Sequence, residues 1–356
     1  GVQTFDAGFF STYNPVTAAD MVARVPGFEV RDGDDRRGFG ATAGNILVNG
    51  ERPSSKTNVS EQLKRIPADM VMRLELISGS ANSEVSGQSQ LVNVVLKKAQ
   101  ANGNPTTFVA GLRYLQYAER LAWTLQASHT FALGDTAELA IDLQTPNVRG
   151  RSINFEAVRN ASGALTAYRT QYGQGNNIGL QGAAALKWRP DAQNSVNVNL
   201  QYVPTWNSLG NNSIERSPDG ALRSFLAGGS EFDDNYTAEL GADWELRFSP
   251  NFSTKLIGLY TSNNVEQSDV FDTYTAPATF LTRTQLRATN GGERVARLTS
   301  TWRVSDDHTL EFGGEGAFNF RETDLNIFNQ PQGGVRVRVP LAVSKARVEE
   351  IRGEGF

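Results

Sequence analysis

Beyond residue 105, apolar and polar side chains alternate along most of the chain. In the segment 239–248, Leu240, Trp244 and Phe248 share one phase, and Glu239 and Asp243 share the other. Because successive side chains of a strand point to opposite faces, this period of two predicts strands with one apolar and one polar face. In water the apolar face would be a core, whereas in a bilayer it would face lipid and the polar face would line a lumen.

The connections between these segments alternate between tight and long. The tight connections centre on four pairs of turn-forming residues: Gly134-Asp135, Pro190-Asp191, Pro250-Asn251 and Asp306-Asp307. The long connections cover roughly residues 144–176, 205–235, 262–292 and 321–345. Short turns on one side and long loops on the other are typical of a membrane β-barrel.

Ten strands of about 9–13 residues account for this pattern. That length suits a tilted strand that crosses a bilayer and is long for a soluble sandwich. They are predicted at 106–116, 120–131, 136–144, 176–188, 195–204, 236–248, 252–261, 293–304, 308–320 and 346–356. We interpret 145–175 as a hairpin that extends the third and fourth strands outward.

Aromatic residues lie close to every tight turn. They are Phe131, Trp188, Phe248 and Trp302. Amphipathic rings collect at membrane–water interfaces, so these four residues are predicted to form a membrane-interface belt. Aromatic side chains are also ordinary core residues of a sandwich, and that alternative stays open.

Residues 16–100 mix helix and strand signals and predict a small α+β domain. Thr17 can cap a short helix that ends before Pro26-Gly27, and 91–96 is a nearly continuous apolar strand. Residues 1–15 are expected to be a lead-in segment, 101–105 a linker, and 106–356 the first part of a transmembrane barrel.

Composition excludes several classes of protein. The 356-residue chain has a net charge of −4, a pI near 5.5 and no cysteine, so nucleic acid is not an expected partner, and thiolate chemistry is excluded. It has no run of 18 apolar residues and no signal peptide. We therefore expect that it starts after processing or is a piece of a longer protein.

The small domain carries a series of short motifs in a recognisable order. They are Arg37-Gly38-Phe39, Ile46 through Pro53, Leu63 through Pro67, Arg73 through Gly79, Val85-Ser86-Gly87 and Leu91 through Lys97. With these motifs, residues 16–98 resemble the plug of TonB-dependent outer-membrane receptors. The resemblance is incomplete, because Ser89-Gln90 replaces a usual glycine pair and no energy-coupling box is recognisable.

The resemblance implies an active importer in the outer membrane of a Gram-negative bacterium. Its expected partners are a TonB-type periplasmic energy-coupling protein, outer-membrane lipids, and a scarce nutrient such as an iron chelate, cobalamin or a saccharide. The family's barrel has about 22 strands, so the rest of it is expected on missing sequence or on another chain.

Two sets of candidate site residues follow from the resemblance and from the loops. The Arg73 and Glu75 side chains are expected to contact the inner barrel wall, with Glu239, Asp243, Glu311 or Glu315 as partners. The candidate ligand-contact residues, weighed against plain solvated loop, are Arg52, Lys56, Asn58, Tyr168 and Trp206.

No catalytic motif, metal-ligand pattern or cofactor motif is recognisable, so we predict a protein that is not an enzyme and has no cofactor. Two alternatives remain. One is a signal-transducing or structural component of an outer-membrane complex on the same scaffold. The other is a soluble β-rich carbohydrate-binding protein or enzyme.

Overall fold

The computed structural model describes most of the chain as two β-sheets. The described residues are 1–31, 44–50, 59–64, 66–78, 90–97, 106–116, 120–145, 147–277, 279–305 and 308–356. The predicted linker at 101–105 lies outside them. Within the described residues, no helix is long and apolar enough to cross a membrane.

The small domain is a four-stranded sheet with short helices. Its strands, in the spatial order β1-β3-β4-β2, are β1 (Val2–Asp6), β2 (Ile46–Val48), β3 (Val71–Ser78) and β4 (Gln90–Leu96). Its helices are α1 (Ala18–Val22) and α2 (Val59–Lys64), with 3₁₀ turns at Ala7–Tyr13 and Ala68–Met70. The β2–β4 pair is parallel, and the other pairs are antiparallel.

Local chemistry explains how α1 begins. The Thr17 hydroxyl accepts a hydrogen bond from the Asp20 amide at 3.4 Å, and the Asp20 carboxylate accepts one from the Thr17 amide at 2.9 Å. This reciprocal capping box satisfies amides that the first helical turn leaves without partners. The helix then buries Met21 and Val22 against Leu74 and Val92, each at most 1% exposed, in the domain core.

The first strand corrects one predicted boundary. Residues 1–15 are not a separate lead-in segment, because β1 pairs with β3 along its whole length. Phe5 and Phe10 are 6% and 0% exposed, and both belong to the same core as α1. By pairing with the edge of β3, β1 supplies hydrogen-bond partners to backbone groups there. The sequence does not predict this strand, because five residues are too few to show an alternating pattern.

The large sheet follows. Its strands are β5 (Thr107–Leu115), β6 (Arg120–Leu133), β7 (Ala137–Gln144), β8 (Asn147–Arg159), β9 (Leu165–Gly179), β10 (Gln181–Trp188), β11 (Asn194–Arg216), β12 (Leu222–Ser249), β13 (Phe252–Thr275), β14 (Thr279–Arg303), β15 (Thr309–Pro331), β16 (Val337–Arg338) and β17 (Lys345–Gly355). All of its pairs are antiparallel, and in the described residues β5 and β17 do not pair with each other.

The predicted fold class is confirmed: a small α+β domain precedes a large antiparallel sheet. The ten predicted strands are also present. The predicted third strand continues from β7 into β8, and the predicted fourth strand runs from β9 into β10, with a gap of one or two residues in each. The predicted hairpin within 145–175 is confirmed as β8–β9, which turn at Asn160 and Gly163.

The predicted long loops are wrong. Strands β11 to β15 have 23 to 28 residues, and they fill most of 205–235, 262–292 and 321–345 with paired backbone. We call the parts of β8, β9 and β11 to β15 farthest from the tight turns the hairpin extensions. Their two faces both mix polar and apolar side chains, so they lack the period-two signal although the backbone ladder continues.

Register divides the side chains of the large sheet into two faces. The outer face carries Leu200, Leu240 and Tyr260, which lie side by side across β11, β12 and β13. The inner face carries the alternate positions, among them Asp243, which lies beside Asn197.

Candidate functional site: the two faces of the large sheet

The outer face exposes a continuous apolar surface. Trp244, Leu256 and Leu298 are cross-strand neighbours on β12, β13 and β14, and their exposed fractions are 46%, 46% and 49%. A water-soluble domain rarely exposes a contiguous apolar surface that crosses many strands. This surface therefore needs a cover that the described residues do not supply.

The four predicted interface aromatics lie at the tight-turn end of this surface. Phe131, Trp188, Phe248 and Trp302 are 44%, 43%, 61% and 47% exposed. Trp302 lies directly across from Phe252, whose ring stacks on Phe248 at 5.5 Å. The four side chains are where an interfacial belt requires them, and their contact with a membrane stays a prediction.

A second row of aromatics borders the apolar surface at its other end, and it was not predicted from the sequence. The rings of Tyr202 and Tyr236 lie 5.7 Å apart, and the Arg294 guanidinium lies over Tyr260 at 5.1 Å and over Phe320 at 5.4 Å. These rings are far apart in sequence, so the row is visible only once the register is known.

The inner face carries paired polar groups. The Asp243 carboxylate, which belongs to a residue 4% exposed, accepts a hydrogen bond from Asn197 at 2.9 Å and pairs with Lys255 at 3.6 Å. Arg297 pairs with Glu315 at 3.5 Å. Pairing offsets part of the cost of removing these charges from water.

A cavity of about 200 Å³ lies between the small domain and the inner face. Val48, Met70 and Leu96 line it from the small domain, and Asp142 and Lys187 are among the residues that line it from the large sheet. The small domain therefore lies on the polar side of the sheet and leaves the apolar side uncovered.

The predicted pair Arg73 and Glu75 occurs on β3, where the two side chains bind each other. The Arg73 guanidinium lies 2.7 Å from the Glu75 carboxylate, which also accepts a hydrogen bond from Asn93 at 2.8 Å. Among the described residues, Arg73 makes its ion pair with Glu75 and not with the predicted acids of the large sheet. Alternate residues of one strand share a face, so Glu75 lies within reach of Arg73. A contact of the pair with the sheet stays a prediction.

The candidate ligand-contact residues fall into two groups. Arg52, Lys56 and Asn58 lie outside the described residues. Tyr168 and Trp206 lie in the hairpin extensions, 53% and 52% exposed, and the register puts both on the outer side. Their contact with a ligand stays a prediction, and any such contact would come from outside the sheet.

The tips of the hairpins are held by charged and polar contacts. Arg169 binds Glu215 at 2.8 Å and Glu156 at 3.2 Å, and the hydrogen bond from Arg169 to Glu215 raises the pKa of this guanidinium. At the next tip, a hydrogen bond from the Ser217 hydroxyl lowers the pKa of Asp219. Such contacts favour ordered hairpins over loose loops.

Among the comparisons with known proteins, the one with solved structures gives matches. No family model matches the sequence. No curated protein matches it either. Three of the matching solved structures are the ferric yersiniabactin uptake receptor FyuA from Yersinia pestis, the ferric citrate transporter FecA, and P. aeruginosa FpvA bound to pyoverdines.

The likeness covers nearly all of this chain at low identity. FyuA is 11% identical, with a TM-score of 0.34, and the match covers 100% of this chain and 61% of FyuA. FecA is 9% identical, with a TM-score of 0.35, and the match covers 98% of this chain and 59% of FecA. FpvA is 10% identical, with a TM-score of 0.38, and the match covers 100% of this chain and 52% of FpvA. The chain thus spans between half and two thirds of the length of these structures, and no residue role is transferred from them.

Proposed function

We propose that this chain is the plug and the first barrel strands of an outer-membrane receptor that imports a scarce nutrient. The observation that carries the proposal is the placement of the small domain on the polar inner face while the apolar outer face stays uncovered. A soluble protein would put its small domain on the apolar face, because burial of apolar surface drives packing.

The dimensions of the apolar surface support a membrane as its cover. On β12, the outward positions from Tyr236 to Phe248 span twelve residue steps, about 40 Å along the strand at about 3.3 Å per residue. With a tilt of about 40°, this gives a height of about 30 Å, close to the hydrocarbon thickness of a bilayer. The aromatic rows at both ends correspond to the two interfaces.

The two free edges of the sheet support a larger barrel. Among the described residues, no strand pairs with the far side of β5 or of β17, so backbone groups there lack a strand partner. Lipid offers no hydrogen bonds to such groups, so a membrane-embedded sheet must close. We infer that further strands, on missing sequence or on another chain, complete the wall around the small domain.

A wide barrel that is closed by a folded domain needs energy to open. We propose a TonB-type periplasmic protein as the partner that supplies it, and a nutrient such as an iron chelate, cobalamin or a saccharide as the ligand. The matching solved structures are receptors and transporters, which agrees with a role in uptake and not in catalysis.

Two experiments with the intact protein test this proposal. Membrane fractionation, with heated and unheated samples compared by gel electrophoresis, should give a heat-modifiable outer-membrane species. Uptake of the ligand by cells should then require both the receptor and the inner-membrane motor. Recovery as a soluble protein whose mobility does not change on heating would contradict the proposal, as would uptake that persists without the motor.

A further inference from the structure

Charged side chains in the hairpin extensions of β13, β14 and β15 are divided between the two faces. On the inner face, from the level of Gly291 and Arg321 to the tips, the charged residues are Arg283, Arg287, Arg321 and Asp269. On the outer face at the same levels, they are Glu266, Asp272, Glu322 and Asp324. Three arginines and one acid thus face inward from the described residues of these strands, and four acids face outward.

The three arginines form a column, which we call the arginine column. Arg283, Arg287 and Gly291 are spaced four residues apart on β14, and Arg321 lies directly across from Gly291. At about 3.3 Å per residue, each step is about 13 Å along the strand. Gly291 has no side chain, and the side chain of Asn263 from β13 occupies the space beside it.

The column begins one inward position above the level of the cavity beside the small domain. Its lowest level, Gly291 with Arg321, is one inward position above Glu293, which lies in line across β13 with Glu239. Glu239 lines the cavity between the small domain and the sheet. The column therefore runs from the top of that cavity toward the hairpin tips, along the path that a ligand would follow.

Within the described residues, none of the three arginines makes an ion pair, unlike Arg297 lower on the same face, which binds Glu315 at 3.5 Å. Asp269 is 6% exposed and accepts a hydrogen bond from Gln267 at 2.7 Å. A guanidinium presents a planar fork of donors that matches a carboxylate. Three such cations on one wall attract an anion into the lumen.

The wall beside the column is mostly uncharged. Next to the arginines, the inward positions at their levels include Phe271 of β13 and Phe232 of β12. Beyond them, the inward positions of β9 and β11 at the same levels carry Asn177, Asn207, Gly173 and Asn211. The Asn207 side-chain oxygen is buried and has no hydrogen-bond partner among the described residues. Amides both donate and accept, and so they suit the hydroxyl groups of a ligand.

We propose that the inner face of the hairpin extensions binds a hydroxyl-rich polyanion, specifically an acidic oligosaccharide built from uronic acids. The arginine column binds its carboxylates, and the amides of β9 and β11 bind its hydroxyls. The inference rests on the proposed function, because it takes the inner face as the wall of a ligand path.

The test is a binding titration of the intact receptor, purified from outer membranes in detergent. The ligands are a galacturonate trisaccharide and the neutral galactose trisaccharide, with ferric citrate as a non-saccharide hydroxycarboxylate. We expect the acidic sugar to bind at least about tenfold more tightly than the neutral one and to weaken with added salt. Arg287→Gln, and Arg283→Gln with Arg321→Gln, should each reduce its affinity by about tenfold or more.

Arg338→Gln is the matched control. It removes the same charge from β16, where Arg338 lies across from the outward-facing Phe328, and it should leave affinity unchanged. Heat-modifiability of each variant verifies that the barrel is intact. Equal binding of the two sugars would overturn the inference, as would exclusive binding of ferric citrate, or an equal loss in Arg338→Gln. Uptake that does not need the motor would refute the proposed function and leave the binding result intact.

Discussion

The small domain and the large sheet place their apolar side chains in opposite environments. In the small domain, Leu74 on β3 is fully buried, together with Phe10 and Val92. In the large sheet, Leu298 on β14 is 49% exposed and is surrounded by other exposed apolar side chains. The small domain follows the rule of a protein folded in water. The large sheet reverses that rule, which indicates a second solvent on its outer face.

The sharpest contrast comes from one substitution made in both regions. Leu74→Ala removes a buried side chain from the small domain and should destabilise it by about 2–5 kcal/mol. Leu298→Ala on the outer face creates no cavity and should change stability by about 1 kcal/mol or less. Limited proteolysis and thermal unfolding of the receptor in detergent measure both. Equal losses in the two variants would mean that Leu298 is also packed in a protein core.

A charge placed on either face of β14 tests which face meets lipid. Leu298→Arg puts a cation in the middle of the apolar surface and should cost about 2–4 kcal/mol in a bilayer. Thr301→Arg, three residues further on, points to the inner face beside Glu311 and should cost less than about 1 kcal/mol. Urea titrations of the receptor in lipid vesicles measure the difference. A larger loss for Thr301→Arg would reverse the assignment of the faces.

The capping box at α1 tests whether the small domain follows the rules of a soluble protein. Thr17→Ala removes the hydroxyl that binds the Asp20 amide and should destabilise the domain by about 1 kcal/mol. Thr17→Asn keeps a capping oxygen and should retain most of the stability. Thermal unfolding ranks the three proteins. A Thr17→Asn variant as unstable as Thr17→Ala would count against the cap.

The smallest effect is expected at the tight turn between β10 and β11. Hydrogen bonds from the Asn194 side chain, and then from backbone amides, lower the pKa of Asp191 below 3.8. A lowered pKa gives stability that is present above 3.8 and is lost as the pH falls through the lower, folded-state pKa. Asp191→Asn should therefore show a weaker loss of stability below pH 4 than the unmodified protein, measured as the shift in its thermal midpoint. An identical pH profile would contradict this.

The sequence predicts the parts of the fold in which one face of a strand is apolar and the other is polar. Alternation in 239–248 correctly locates the membrane-facing half of β12, and the turns at Pro190 and Pro250 correctly separate neighbouring strands. The hairpin extensions escaped prediction because polar and apolar side chains are mixed on both of their faces. The strand β1 escaped it because five residues show no period.

The site was less predictable than the fold. Arg73 and Glu75 were recognised as a pair, but their mutual ion pair depends on rotamers that a motif does not specify. Arg283, Arg287 and Arg321 were missed because their common face depends on the register of β14 against β15. Spacing by four would place Arg283 and Arg287 on one face of a strand, but both lie in 262–292, which was predicted as a long loop.

The account depends most on the claim that lipid covers the outer face. The chain contains no cysteine, so single cysteines can be placed at each position from 240 to 248 and spin-labelled in the receptor embedded in vesicles. The account predicts that collisions with oxygen dominate at the even positions, such as 244. At the odd positions, such as 243, the label should be shielded from oxygen or accessible to a water-soluble nickel chelate. Equal access of the nickel chelate to both sets would contradict a membrane-facing surface.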